Sequence, residues 1–529
     1  MASLLARISL SFGMLIANVG SSAAFNTPGV DIWCGKAYRS TNGSFEPGGW
    51  LDKPPQSTKP LLDLRVRPRV NLYTPGDVEG SFIIDAGISY TVGQPFEYDV
   101  LQRDWNPPHA LAIEISILSS DGSGSVYSSP FLASVNSAEN EVPFPLLDVP
   151  PSFDPYNVTL TAMMVPGGKQ VYTASTLLYK LPYRTDGRNV AKLDSLYGGI
   201  LVQDYLTGSH TWEAILPYSF YVSWDGWLEK SLNNVQKFKD QGYNILHIVP
   251  NAGLPNQAFN FTELDLFLDK CDEIGLWLMY DMRWTYKNLT AVEEQDYSSG
   301  ADIILSDVYP VAIGATWSAV YDTVCNTTYG CCGCDDCKGE FEDISSCLDL
   351  FAQYQGWIGG GPKTYLGVPQ AFGNESFWSR YPTAAEEVTM NILSINHNAK
   401  GIVMWDYPTS AELGNMTSAL ARVLASRDVT RFLLGAPTVV LEVTSGQQRI
   451  DAAGWRVGNR TLVSILYLDY SALSSRVAVA LPFRGARSIE KTLWGSNGWQ
   501  VSQGQLVKNG MDALESNLVI VEWPSPLPD

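Results

Sequence analysis

Three aspartates sit at the ends of apolar runs in the middle of the chain. They are Asp281 in Leu276–Met282, Asp307 in Ala301–Pro310 and Asp406 in Gly401–Tyr407. Two carboxyl groups flanking a glycosidic oxygen can cleave it when one stays protonated, at spacings of ~5–5.5 Å for retention or ~6.5–9.5 Å for inversion. Asp307 and Tyr309 are two residues apart on an expected strand, so both side chains point to one face. Tyr309 can then donate to a reacting oxygen or stack on a sugar. Asp406 lies between Trp405 and Tyr407, a setting suited to sugar stacking. Arg283 can pair with Asp281 or bind a charged substrate group. Trp224 and Gln370 close two further strands and join the expected substrate-binding set. The competing reading for every strand-end Asp is a cap on the following helix.

Other chemistries find little support. His247 is flanked by Leu246 and Ile248 inside a strand and reads as a satisfied core histidine. His109, His210 and His397 form no metal spacing. No Gly-x-Ser-x-Gly elbow occurs, so Ser-His-Asp hydrolysis is unsupported. Neither a Gly-x-Gly-x-x-Gly after a strand nor a Walker loop is present, and no nucleotide cofactor or metal is expected. Glu293 and Glu294 read as solvated helix positions.

The elements that must position these residues come in three blocks. From 25 to 192, short apolar or alternating runs (Leu62–Val66, Gly80–Ile84, Leu111–Ile117, Val158–Met164) are separated by Pro, Gly and Ser clusters, which predicts an N-terminal β-sandwich. From 193 to 430, strands near 215, 243, 276, 301, 364 and 401 alternate with helices over Leu228–Gln241, Phe261–Ile274 and Ala384–Asn396. That is the β-α-β pattern of a (β/α) barrel, whose catalytic residues gather at the C-terminal strand ends. From 431 to 529, β signals return at Thr438–Val443, Thr461–Leu468, Val477–Leu481 and Leu518–Val521, predicting a C-terminal β-sandwich.

Residues 1–24 read as a secretory signal, with Arg7, an apolar Ile8–Val19 stretch and Ser22-Ala23-Ala24. Eight Asn-x-Ser/Thr sequons, at Asn42, Asn157, Asn260, Asn288, Asn326, Asn374, Asn415 and Asn459, fit a secreted, glycosylated surface. Five of the eight cysteines crowd Cys325–Cys337, and Cys347 follows. In an oxidising compartment these read as disulfides stapling the 325–347 loop; the alternative is zinc. A net charge of −20 gives no electrostatic footprint for nucleic acid or anionic membrane. A neutral carbohydrate is compatible as a partner, while oligomeric state is not written in the pattern.

The strand count does not close. A barrel of this class needs eight strands, and six are found. The 18 residues between Met282 and Ala301 hold one short helix, whereas two βα units need ~60. Either the barrel is incomplete or an internal segment is missing. The chain resembles fungal secreted glycoside hydrolase catalytic-core proteins, similar to the retaining clan-A barrel glycosidases. The resemblance rests on Cys34–Trp50, Gly300–Pro310, the Cys331–Cys337 run and Val368–Gly373. It implies a secreted glycosidase with a fourth strand ending in an Asp-Glu-Pro-like motif whose Glu is the acid/base. No Asp-Glu-Pro occurs here, and the missing stretch would fall between Gln295 and Asp296. The same resemblance implies a Glu nucleophile where Gln370 stands, so the nucleophile is unassigned. Hydrolysis of an oligo- or polysaccharide and sugar binding without catalysis both remain open.

Overall fold

The computed structural model describes residues 53–96, 110–119, 124–165, 167–185, 189–203, 211–249, 261–280, 301–318, 338–358, 361–375, 377–447, 449–482 and 485–523, with short strands at Ile32–Trp33, Lys36–Ala37 and Thr323–Val324. These fall into two compact units.

One unit takes in Trp50–Ile215 and Ala352–Thr364. Its strands alternate as a half-buried sheet requires: Leu61–Pro68 is buried at every second residue, and Tyr156–Val165 alternates buried with exposed. One sheet runs Gln94–Pro95, Leu61–Pro68, Glu79–Ser89, Ser137–Pro145. The other runs Val171–Leu178, Tyr156–Val165, Ala110–Leu118, Ser125–Ser134. Their apolar faces share one core that includes Leu62, Phe82, Ile84, Leu111, Ile115 and Leu160. A three-stranded antiparallel sheet (Val190–Leu193, Ile200–Gln203, Trp212–Ile215) belongs to this unit too. The expected boundary at 192/193 therefore moves to 215/216. The run Ala214–Trp224 reads as one strand, but Pro217 divides it. Trp212–Ile215 pairs antiparallel with Ile200–Gln203, while Tyr218–Ser223 pairs parallel with Ile245–Val249.

The second unit holds the α/β part and the C-terminal β part together. Its α/β elements are β1 (Tyr218–Ser223), α1 (Asn233–Asp240), β2 (Ile245–Val249), α2 (Phe261–Ile274), β3 (Trp277–Tyr280), β4 (Ile303–Ser306), α3 (Glu342–Ile358), β5 (Thr364–Gly367), α4 (Ala384–Asn396), β6 (Ala399–Tyr407), α5 (Ala411–Leu424) and α6 (Arg427–Leu433), α3 beyond Phe351 and Thr364 of β5 counting with the first unit. The six strands form one parallel sheet in the order β3-β2-β1-β6-β5-β4. It is a partial barrel: among the described residues the sheet does not close. Gly242 and Gly275 follow α1 and α2 at φ of 98° and 65°, a left-handed conformation that glycine adopts without a Cβ clash.

Strands β1, β5 and nearly all of β6 are buried on both faces, as parallel strands covered by helices must be. Helix α4 opens with a capping box, Thr383 receiving the Glu386 N–H and Glu386 receiving the Thr383 N–H. It is buried from Glu386 to Asn396 because β6 and α5 pack on it from one side and the C-terminal sheet from the other. That sheet runs Val439–Val440, Ile450–Val457, Arg460–Tyr467, Ser516–Glu522, Ser488–Trp494, and packs against Leu473–Ala480, Gln505–Met511, Gln500–Ser502 around Val463, Ile465, Val479, Leu506 and Val519.

Candidate functional site

The inner face of the partial barrel carries one apolar cluster. Tyr221 comes from β1, Leu366 and Val368 from β5 and its extension, and Val403 and Trp405 from β6. Met279 of β3, Ile303 and Leu305 of β4, and Tyr309 pack against them. Alternation along β4 sets the directions: Ser306 faces α3, its Oγ 3.5 Å from Cys347 Sγ, while Ile303, Leu305 and Tyr309 face inward. Asp307 shares their alternation and is exposed.

Beyond β5 the chain continues in register with its neighbours. Val368 N–H donates to Ser306 O at 2.8 Å, Trp405 N–H to Pro369 O at 3.0 Å, and Ala371 N–H to Trp405 O at 2.6 Å. Gln370 is wholly buried in this clamp. Its Oε1 accepts the Val311 N–H at 3.0 Å, and its Nε2 donates to Val311 O at 3.1 Å and Phe372 O at 3.2 Å. The amide thus acts as a peptide surrogate joining the segment after β4 to the end of β5. With no exposed atom it offers nothing to a ligand, and the expected substrate contact is replaced by a positioning role.

Asp406 lies one residue before the end of β6, after a cis Trp405–Asp406 peptide. Burial, and then the charge of Glu375, push its carboxyl up to about 7. Glu375 belongs to the loop after β5 and is itself raised by burial. That loop is fixed by paired backbone bonds between Glu375 and Trp378, both 3.0 Å. The Trp378 indole N–H donates to Tyr309 O, also at 3.0 Å. The rings of Tyr309, Phe372 and Trp378 meet edge to face at 4.8–5.9 Å, a favoured aromatic geometry. Two tyrosines feel the acids. Tyr309 is raised well above 10 by burial and then by Asp307, Tyr221 and Asp406; Tyr381 is raised by burial and then by Asp406 and Glu375. Both are neutral O–H groups at any ordinary pH.

The structure therefore brings Asp307, Tyr309, Trp405 and Asp406 to one end of the sheet and adds Glu375 and Tyr381, which strand-end reasoning passes over. Trp224 goes elsewhere. It is 6% exposed and packs edge-on to Phe267 of α2 at 4.9 Å, so it is core and no sugar platform. Trp405, also 6% exposed, lies against Tyr221 at 4.8 Å. Asp281, Arg283 and the cysteine run 325–337 lie outside the described residues, as do the signal segment and the sequons at Asn42, Asn260, Asn288 and Asn326. His247 is buried as expected but not satisfied: its Nδ1 has no partner among the described residues, and burial lowers its pKa to about 3. Its ring lies 4.2 Å from that of Tyr221. Among the described residues no group of His, Cys, Asp and Glu is arranged to hold a metal ion, and no helix is long and apolar enough to cross a membrane.

No family model and no curated protein matches the sequence. Among solved structures, the chain is similar to an endoxylanase of glycoside hydrolase family 30 from Clostridium papyrosolvens, at 11% identity over 59% of this chain and 97% of that one, with a TM-score of 0.31. It is similar also to an alpha-amylase from Lactobacillus plantarum, at 12% identity over 58% of this chain and 98% of that one, with a TM-score of 0.34. Likeness at this level carries no argument about activity.

Proposed function

We propose that this chain is a secreted glycoside hydrolase-type protein acting on an oligo- or polysaccharide, with Asp406 as the proton donor to the departing glycosidic oxygen. The observation that carries the reading is the Asp406 carboxyl, held up to about 7 at the C-terminal end of a parallel sheet by burial and by Glu375. A carboxylic acid that keeps its proton near neutrality can give it to a leaving group; an ordinary aspartate cannot. Glu375 and Asp307 are the remaining carboxyl groups of the cluster, and one of them would act as nucleophile or activate water. Tyr309 and Tyr381 would donate to substrate hydroxyls, with Tyr309 held in place by the buried rings of Phe372 and Trp378. Secretion and glycosylation are supported by the N-terminal pattern and the sequons. Of the described sequons, Asn157, Asn374 and Asn415 are exposed.

A second reading, sugar binding without hydrolysis, is favoured by two observations: among the described residues the sheet does not close between β3 and β4, and a buried neutral amide, Gln370, stands just beyond β5. The two separate on reducing-end release from a panel of soluble polysaccharides. The hydrolase reading expects release that falls at least ~100-fold in Asp406→Asn, with the melting transition kept. A binding protein releases none, and retains affinity on gels impregnated with the same polysaccharides. Absence of both release and retardation removes carbohydrate as the ligand.

A further inference from the structure

The loop between β5 and α4 carries two groups of the site, Glu375 and Tyr381, and its two ends meet backbone to backbone. A Cβ on Gly373 would stand 2.2 Å from the Arg380 carbonyl and 2.3 Å from the Tyr381 N, so only glycine permits this neck. One side of the neck is tied to the sheet. There Ala371 donates its N–H to Trp405 O at 2.6 Å and its carbonyl accepts from Thr409 Oγ1 at 2.5 Å. The other side is tied to Glu386. Arg380 donates Nη1 and Nη2 to its two carboxylate oxygens, both at 2.7 Å, and Nη1 also to Tyr381 O at 2.9 Å.

Capping α4 asks of the Glu386 carboxylate only the bond from the Thr383 N–H, at 2.7 Å. A wholly buried carboxylate needs more donors than that, and they come from outside the helix. Besides Arg380, the Tyr470 hydroxyl donates to Oε1 at 2.7 Å. Tyr470 belongs to the C-terminal β part, in a turn that Asp469 fixes by accepting from the Ser471 N–H and Oγ, both at 3.0 Å. Its ring stacks at 5.9 Å on Phe341, the residue before α3. Burial alone would raise the Glu386 carboxyl, but the bonds from Arg380, Thr383 and Tyr470 prevail and hold it at about 2. The clamp is therefore charged throughout the range in which Asp406 titrates.

We propose that Arg380, Glu386 and Tyr470 are positioning residues, a clamp through which the C-terminal β part keeps Glu375 and Tyr381 beside Asp406. This role rests on the hydrolase reading of Asp406 as proton donor, while the geometry of the clamp does not. Its bidentate Arg380 pair fixes direction as well as distance, and Arg380 is the residue next to Tyr381. Loosening it frees the neck, and Glu375 no longer faces Asp406 at a set distance.

The test compares the full chain with Arg380→Met and Tyr470→Phe by two readouts. One is hydrogen exchange over residues 371–383. The other is titration of the Asp406 carboxyl by carbon NMR, on protein labelled at the aspartate carboxyl carbon and assigned against Asp406→Asn. Tyr470→Phe keeps its ring on Phe341, so it guards against an Arg380 variant that fails to fold. Expected is exchange faster by on the order of 10-fold in that segment, with the rest of the barrel unchanged. The Asp406 midpoint should fall in both variants, because the Glu375 charge is no longer held beside it. Exchange equal to the parent's overturns the proposal. So does faster exchange with an unmoved midpoint, which leaves the clamp a support of the fold alone. Neither readout needs a substrate, so failure of the clamp and failure of the hydrolase reading are told apart.

Discussion

Asp406 on β6 and Glu375 on the loop after β5 lie within electrostatic reach, and both carboxyls are pushed toward their protonated forms. Burial is the larger cause for Asp406 and the Glu375 charge the second. Like charges at a partly dry site resist joint ionisation, so the Glu375 charge keeps Asp406 protonated to higher pH than burial alone would.

Activity that depends on protonated Asp406 should fall as pH rises through about 7. Glu375→Gln removes the neighbouring charge and leaves the burial, so this alkaline limb should move to lower pH. A pH–rate profile of the variant checks it. An unmoved limb means that the acid responsible lies elsewhere.

Gln370 holds the segment after β4 to the end of β5 through two bonds to the Val311 backbone, with a third to its own segment at Phe372. Gln370→Ala leaves the buried N–H and C=O of Val311 without these partners, which costs about 2–4 kcal/mol. The lowered denaturant midpoint should come with weaker sugar affinity, because Tyr309 and Trp378 are anchored to the same segment. A substrate contact would instead lose affinity with the midpoint unchanged.

Much of this was legible in the sequence, and the parts that were not share a cause. Regular elements announce themselves by period. The alternation of Leu61–Pro68, the helices Phe261–Ile274 and Ala384–Asn396, and six parallel strands are where the pattern puts them. The helices Glu342–Ile358 and Ala411–Leu424 are not signalled by it, the first because it follows in sequence a cysteine-rich run that reads as disulfide loop. Strand-end aromatics look alike in one dimension, yet Trp224 turns to a helix and Trp405 to the inner face. Glu375 sits in Gly373-Asn374-Glu375, a loop with no period. Its meaning arises only when that loop folds back toward Asp406, near the end of a later strand.

His397 caps α4 and bonds two acids, Nδ1 to Asp349 at 2.8 Å and Nε2 to Asp451 at 3.0 Å. Burial pulls its pKa down, but the two hydrogen bonds and charges prevail and raise it from 6.5 to about 9. The folded state therefore holds this proton more tightly than the unfolded chain. The contribution is fully present below about 6.5 and is lost as pH rises through about 9. His397→Gln should lower stability by on the order of 2 kcal/mol at pH 6 and by much less at pH 10. Chemical denaturation at the two pH values checks it, and an equal loss at both would assign the effect to packing.

Glu387 presents the opposite problem, an acid in the core with no cation bonded to it among the described residues. It is fully buried on α4, its Oε1 accepts from Asn391 Nδ2 at 2.8 Å, and its Oε2 has no partner among the described residues. Asn391 in turn accepts from the Tyr218 hydroxyl of β1 at 2.8 Å, so the acid belongs to a polar chain between helix and sheet. Burial raises its pKa from 4.5 to about 8; the Asn391 bond opposes the rise and the Glu386 charge adds to it. Since the folded state keeps a proton that the unfolded chain gives up, stability falls as pH climbs from about 4.5 through about 8 and levels off above. Glu387→Gln can keep the Asn391 bond and removes the titration. It should melt higher than the parent at pH 8, by a few kcal/mol of stability, and flatten the fall between pH 5 and 8. Glu387→Ala instead opens a cavity and strands the Asn391 amide, so it should be less stable at pH 5. Melting curves of the three proteins at pH 5 and 8 decide it, and a Gln variant that tracks the parent at both would show that the core carries no such proton.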